Sequence, residues 1–272
     1  MIYDLHCHSN LSDGALSPAE LVARAVEKHV DVLAITDHDT LAAWPVEAPK
    51  GADIRLIHGI ELSTTWEHTG IHVLGLNFDI NNPAIQQAAD SQTAARHERA
   101  RQIAANLEKH GITDALAGAC SFAPGGYLGR PHFAQHIVAS GKAKTMQLAF
   151  KHYLAAGKAG DVQKTWVELS QVIKWIRAAN GIAVMAHPLK YKLTGSKLKR
   201  MLQDFKALGG QGMEVVSGQQ TPEQTRSMSA LCQELDLLAS CGSDFHSPDA
   251  RWAELGKFQP LPTGPKPVWE CF

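Results

Sequence analysis

The feature that most narrows what this chain can fold into is a recurrence of metal-ligand side chains at the ends of its short apolar runs. The run 2–5 leads into Asp4-Leu5-His6-Cys7-His8, and the run 32–35 into Thr36-Asp37-His38-Asp39. A third, 55–60, finishes in Gly59-Ile60-Glu61, and His72 opens a fourth at 71–77. The run 182–186 reaches Ala186-His187-Pro188, the run 213–216 carries Glu214, and 237–241 precedes Gly242-Ser243-Asp244-Phe245-His246. Side chains two apart on a strand share a face. His6 and His8 therefore point together while Cys7 points away, and Asp244 and His246 repeat the spacing. Asp13 follows in the loop after the first run, close enough to join them. One H-x-H pair is a weak signal, but this many unrelated strand ends are hard to assign to chance. Buried ionisable groups are rare unless paired or metal-bound.

The apolar runs alternate with helical patterns, which predicts repeated β-α units and an α/β fold. Ser17-Pro18-Ala19-Glu20 is a capping box with proline at the first helical position. Between the fourth and fifth runs the alternation stops. We expect residues 83–165 to form an inserted helical subdomain, with 1–82 and 166–272 together making the principal domain. Within the insert, Arg96, His97, Arg99 and Arg101 read as a solvated face of one charged helix, and 123–126 as a glycine-rich loop. Seven parallel strands could close into a barrel or stay open, and in either case ligands collect at their carboxyl ends. The proline-rich stretch 260–267 is expected to run extended over the surface.

Composition excludes several classes of function. A formal net charge of −1 over 272 residues gives no global basic field for nucleic acid or anionic lipid. No apolar run approaches the roughly 18 residues of a membrane span. The five cysteines form no C-x-x-C pair, and no signal sequence is expected at the start, so a reducing cytoplasm is the expected location.

Imidazole mixed with carboxylate, without thiolate, suits Mn, Zn or Fe. A carboxylate can bridge two such ions, and Glu61 is the candidate. Two ions about 3.5–4 Å apart can share a hydroxide and stabilise in-line displacement at phosphorus.

Together, Asp4-Leu5-His6-Cys7-His8-Ser9, Ile35-Thr36-Asp37-His38-Asp39, Gly59-Ile60-Glu61, Ala186-His187-Pro188 and Ser243-Asp244-Phe245-His246 resemble the motif set of the PHP (polymerase and histidinol phosphatase) family. The resemblance implies a distorted seven-stranded β/α barrel holding two or three divalent ions, Mn2+ first, with Zn2+ or Fe2+ as alternatives. By position, His6, His8, Glu61 and Asp244 would hold one ion, Glu61, His72 and His187 a second, and Asp13, His38 and His246 a third. The insert carries Arg130-Pro131-His132, which is similar to family members that act on nucleoside 3′,5′-bisphosphates or short RNA. The implied activity is removal of the 3′-phosphate from a nucleoside 3′,5′-bisphosphate such as adenosine 3′,5′-bisphosphate. The alternative is 5′→3′ exonuclease action on short RNA or DNA. Glu61, Asp244 and His132 are the expected catalytic residues, and Arg130 and His132 the expected substrate contacts, since Arg clamps phosphate bidentately. The partner is then a small nucleotide, with short oligonucleotides as the alternative, and neither a membrane nor an obligate protein partner is expected. Glu214 is expected to orient a ligand histidine. Asp37 and Asp39 would do the same or cap a following helix, while Trp66, Trp166 and Trp175 read as core before they read as base-stacking platforms.

Overall fold

Strand β1 (Tyr3–Cys7) is followed by helix α1 (Pro18–Glu27), whose Ser17 and Glu20 form the reciprocal cap expected from the sequence. β2 (Val32–Ile35) pairs parallel with β1, and β3 (Arg55–Trp66) parallel with β2. The computed structural model describes residues 1–272 except 45, 124, 163–165 and 251–252. Pro124 of the glycine-rich loop and Thr165 at the expected edge of the insert therefore lie outside the described residues.

Two expectations about the strands need correction. β3 does not end at Glu61 but continues to Trp66, where a two-residue turn, Glu67-His68, sends the chain back as β4 (Thr69–Leu76). Glu67 adopts the left-handed φ of 51° that such a tight hairpin uses. β4 is therefore antiparallel to β3 and also to β5 (Ile182–Met185), so the sheet is not all parallel. The reversal positions the site. His72 lies near the start of its strand, and only a reversed strand brings a starting residue to the carboxyl ends of the others.

β5, β6 (Gly212–Ser217) and β7 (Leu238–Gly242) pair in parallel, giving one seven-stranded sheet in sequence order. Its edges meet. The Asp244 amide donates to the His6 carbonyl at 2.8 Å, and the His8 amide to the Phe245 carbonyl at 2.9 Å, so the sheet curls into a nearly closed barrel. Gly242 permits this closure, because a Cβ there would lie 2.4 Å from the Cβ of His6. Leu5, Ala34, Ile57, Leu74, Val184 and Ala186 fill the interior. The tail joins the floor. The Ala239 amide donates to the Lys266 carbonyl, and Trp269 stacks on Tyr3 at 4.0 Å.

Between β4 and β5 lie α2 (Pro83–Glu108), α3 (Ala115–Ser121), α4 (Arg130–Ala139) and α5 (Met146–Ala149), followed by a π-helical turn at Phe150–Leu154. Their core of Ile103, Leu107, Phe133, Ile137, Ala149 and Leu154 is separate from those of the barrel. Helix α6 (Leu169–Ala178) then packs Val172, Ile173 and Ile176 on the sheet's outer face, joined there by α7 (Gly195–Ala207) and α8 (Pro222–Glu234).

The charged helix differs from its expected solvated face at Arg96. The buried positions of α2, at 85, 88, 89, 92, 96, 100, 103, 104 and 107, form one continuous helical stripe. Gln92 and Arg96 occupy the middle of that stripe, where the helix leaves the barrel and enters the insert. Arg96 is only 7% exposed and is ion-paired with Asp39.

Candidate metal centre

All nine predicted donors converge at the carboxyl end of the barrel. Glu61 stands at their middle, fully buried. Its Oε1 is 2.9 Å from His72 Nδ1 and 3.0 Å from His187 Nε2. Its Oε2 is 3.0 Å from His38 Nδ1, 3.2 Å from His8 Nε2 and 3.3 Å from His6 Nε2. Asp244 Oδ1 lies 3.5 Å from the Nε2 atoms of both His6 and His8. Asp13 closes the other side, 3.3 Å from His246 Nε2 and 3.7 Å from His38 Nε2. The donors thus form overlapping groups: His6, His8 and Glu61; His38, Glu61 and His72; His6, His187 and Asp244; and His8, Asp13, His38 and His246.

These groups fit divalent cations. Ligands about 2.0–2.2 Å from a shared ion sit roughly 3–3.5 Å from each other. Hydrogen bonding alone leaves the cluster unsatisfied, since Asp13 Oδ1, His38 Nδ1, Glu61 Oε2 and His187 Nδ1 are buried without a hydrogen-bond partner among the described residues. His38 Nδ1 and Glu61 Oε2 are close, yet not aligned as donor and acceptor. Such orphaned atoms are costly unless a cation satisfies them. No thiolate takes part, because Cys7 turns away and its thiol meets the Ala34 carbonyl at 3.3 Å. Two donors sit on strained backbone, His187 at φ 26° and Asp244 at φ 52°. Left-handed geometry at non-glycine residues clusters at sites that the surrounding structure over-determines.

The surrounding residues fix the donors' orientation. Glu214, fully buried on β6, accepts from His6 Nδ1 at 3.0 Å and from the His187 amide at 2.5 Å. It thereby aims the remaining nitrogen of His6 at Glu61. The Tyr191 hydroxyl accepts from the His72 amide and donates to the Ala186 carbonyl, each at 2.9 Å. Asp37 accepts from the Ser9 amide at 2.7 Å and from the Ser9 and Ser12 hydroxyls at 2.5 Å. Asp39 accepts from the Ser63 amide at 2.7 Å and pairs with Arg96. Neither aspartate caps a helix, since the described residues between β2 and β3 contain none; both brace the His38 loop. Replacing Asp39 with alanine strands the buried Arg96 cation, and we expect a stability loss of about 3–5 kcal/mol in urea unfolding. Metal content should remain unchanged, because Asp39 is not among the donors.

Charge balance sets the protonation of the ion-free cluster. Burial alone would lower the His6 pKa, but the carboxylates of Glu214 and Glu61 override it and raise the value to about 10. Burial lowers His187 to about 4. Without metal, His6 is therefore a cation at pH 7 and His187 is neutral. The raised His6 value contributes stability that is complete below its ordinary 6.5 and is lost as pH rises through about 10. Because a metal ligand must be a neutral imidazole, ion uptake at pH 7 is expected to release a proton from His6. Calorimetry in buffers of different ionisation enthalpy measures that release, which should vanish above pH 10.

Asp13, His38 and His72 also face a cavity of ≈610 Å³ whose other wall comes from Arg96, Arg99, Tyr127, Arg130 and Phe150 of the insert and from Trp166 just after it. Arg96 lies 4.1 Å from the Tyr127 ring and 4.9 Å from Trp166, and Arg99 lies 5.7 Å from Trp166. Burial and the nearby Arg130 and Arg96 bring Arg99 down to about 10, so it remains a cation at neutral pH. Arg130, the first residue of α4, lines this cavity. His132 is not among the described residues that line this cavity. It is buried, and its Nδ1 accepts from the Gly129 amide at 3.1 Å, which fixes the turn that presents Arg130. Trp66 and Trp175 are core, whereas Trp166 is half-buried on the cavity wall. Tyr127 and Lys190 belong to the site but stood in no recognisable motif. Lys190 forms an ion pair with Asp244.

A family model for the PHP domain matches residues 4–184. A Haemophilus influenzae protein named 5′-3′ exoribonuclease is 46% identical over 272 residues, spanning 99% of this chain and 98% of its own length. A Chromobacterium violaceum protein named 3′,5′-nucleoside bisphosphate phosphatase is 38% identical over 269 residues, spanning 98% of this chain and 94% of its own. A solved structure of an amidohydrolase from Chromobacterium violaceum, with bound sulfate and no metal, superposes with a TM-score of 0.90 at 38% identity, covering 99% of this chain and 95% of that one. With the family match over more than half the chain and full-length relatives well above 30% identity, the chain belongs to the PHP-domain family of metal-dependent phosphoesterases.

Proposed function

We propose that the enzyme hydrolyses the bond between phosphorus and O3′ in a nucleotide that also carries a 5′-phosphate. The smallest such substrate is a nucleoside 3′,5′-bisphosphate, which gives the 5′-monophosphate and inorganic phosphate. The observation that carries this reading is the pairing, across one cavity of ≈610 Å³, of the nine-donor cluster with Arg99 and Arg130. A substrate with two phosphates needs one centre for the reacting group and a separate cationic seat for the other.

His6, His8, Asp13, His38, Glu61, His72, His187, Asp244 and His246 would hold two or three divalent ions, Mn2+ being the one the family resemblance implies and Zn2+ or Fe2+ also suiting this imidazole–carboxylate set. When bound, such ions supply a Lewis acid for the phosphoryl oxygens and a nucleophile at neutral pH. The chain's own groups bind and orient. Arg99 and Arg130 seat the 5′-phosphate, Tyr127 and Trp166 wall the nucleoside from water, and Glu214 keeps His6 and His187 aimed inward. A water oxygen bonds to phosphorus, the P–O3′ bond breaks, and O3′ takes up a proton. We assign His132 to positioning Arg130, because its Nδ1 is engaged by the Gly129 amide. The free cysteines fit a reducing cytoplasm, and no protein partner is invoked.

The 46% identity to an exoribonuclease favours a second reading, 5′→3′ removal of mononucleotides from short RNA. The same P–O3′ bond breaks in both, so one centre serves either substrate. The test is product analysis with manganese-loaded protein on adenosine 3′,5′-bisphosphate, a 5′-phosphorylated RNA trimer and histidinol phosphate. AMP from either nucleotide supports the proposal. Faster turnover of histidinol phosphate than of both nucleotides would overturn it.

A further inference from the structure

The donor cluster has a second open side that the bisphosphate reading leaves unused. Asp244 and His246 face a cavity of ≈350 Å³, whose walls share no residue with the ≈610 Å³ cavity on the arginine side. Lys190, Ser217, Gly218, Gln219 and Ser243 also line it, with Ala250 and Ala253. Ser217 is 8% exposed, and its buried hydroxyl has no hydrogen-bond partner among the described residues. The Lys190 side chain is 56% exposed although its ammonium pairs with Asp244, so the stem reaches outward from the cluster. Gly218 has a φ of 58°, and a Cβ there would come 3.0 Å from the Ser243 carbonyl oxygen, so the turn stays bare and the backbone open. The cavity continues into a depression of ≈390 Å³ that shares Gln219 and Ala250 with it, and whose rim carries Lys257 and a Lys28 that is paired with Glu254 at 3.3 Å. This is a route from the reacting centre to the surface with Lys190 at its inner end and Lys257 at its outer rim.

A 3′-phosphomonoester has no group to send along that route. A phosphodiester has one. The oxygen that is free in the monoester is bonded to the next nucleoside, which must leave the centre on a side not occupied by the first nucleotide. A volume near 300 Å³ is about the lower size of a small-molecule site. Lysine ammonium groups meet phosphate as point charges, without the fixed geometry that arginine imposes.

We propose that the Lys190–Ser217–Gly218–Gln219 cavity is a subsite for the ribose and phosphate immediately downstream of the cleaved bond. The inference rests on the P–O3′ reading above. With it, water adds to phosphorus, the P–O3′ bond breaks and O3′ gains a proton. The products are a nucleoside 5′-monophosphate and a chain one residue shorter that carries a new 5′-phosphate. That shortened chain already lies on the route by which it leaves.

The test uses Ala250→Trp, to obstruct the route, and Gln219→Glu, to place a negative charge against the incoming phosphate. Both are compared with the unaltered enzyme on adenosine 3′,5′-bisphosphate and on a 5′-phosphorylated RNA trimer. Trimer affinity is also measured by calorimetry on metal-free protein. We expect kcat/KM on the trimer to fall about tenfold or more in each variant, with weaker trimer binding, while the bisphosphate stays within about twofold. Equal loss on both substrates, or unchanged trimer binding and turnover, would overturn the subsite and leave the bisphosphate reading intact. Failure of the unaltered enzyme on both nucleotides would instead bring down the reading on which the subsite rests.

Discussion

Glu61→Gln is expected to remove essentially all activity, lowering kcat/KM by about a thousandfold or more, because the centre depends on one carboxylate to hold its cations. Both Glu61 oxygens lie within 3.3 Å of imidazole nitrogens from five histidines on four different strands or their ends: His6, His8, His38, His72 and His187. Burial opposes ionisation there, yet the surrounding imidazoles keep the carboxyl well below its ordinary range, so it is an anion throughout the neutral region. Glutamine preserves the volume but removes the charge, and it turns an NH2 group toward nitrogens that must themselves face a cation. A ligand that binds only the folded state at about 100 times its Kd adds about 2.7 kcal/mol of stability. Manganese should therefore raise the thermal midpoint of the unaltered protein and shift Glu61→Gln far less. Elemental analysis should find at least one ion fewer per chain. Full metal content together with full activity would remove Glu61 from the centre altogether.

The ends of the strands were legible because metal ligation imposes a spacing that sequence displays. His6 and His8, or Asp244 and His246, must lie two apart to share a face of an extended chain. The cap at Ser17 and Glu20 was legible for the same reason, since both partners lie within one turn. What depends on distant pairing was not. The reversal of β4 shows only as a ligand at the wrong end of an apolar run, and the turn at Glu67-His68 carries no glycine, asparagine or proline to announce it. Arg96 sits among charges that imitate a solvated face. Only the stripe from 85 to 107 discloses that it points inward, and its partner Asp39 is 57 residues away. Tyr127 and Lys190 reach the site from an irregular segment and a 3-10 turn, where no periodicity fixes the direction of a side chain.

Arg130→Ala should separate recognition of the second phosphate from the chemistry at the first. Arg130 starts α4 and Arg99 lies on α2, and both line the cavity that Asp13, His38 and His72 bound on the opposite side. Two guanidinium groups in one partly buried wall call for an anion between them; burial first, and then the neighbouring Arg130 and Arg96 charges, bring Arg99 down to about 10. A charge-assisted hydrogen bond contributes roughly 1.5–3 kcal/mol, so losing it should cost about 10- to 150-fold in kcat/KM on any substrate bearing a 5′-phosphate. Adenosine 3′-monophosphate lacks that group, and its slower hydrolysis should be almost indifferent to the substitution. Arg130→Lys should recover part of the loss, because it restores charge without the bidentate fork. If both substrates lost activity equally, Arg130 would be supporting the fold of the insert and the 5′-phosphate would have to be seated elsewhere. If the loss is confined to the 5′-phosphorylated substrates, the insert's contribution is recognition, and the barrel alone carries the machinery for breaking the P–O3′ bond.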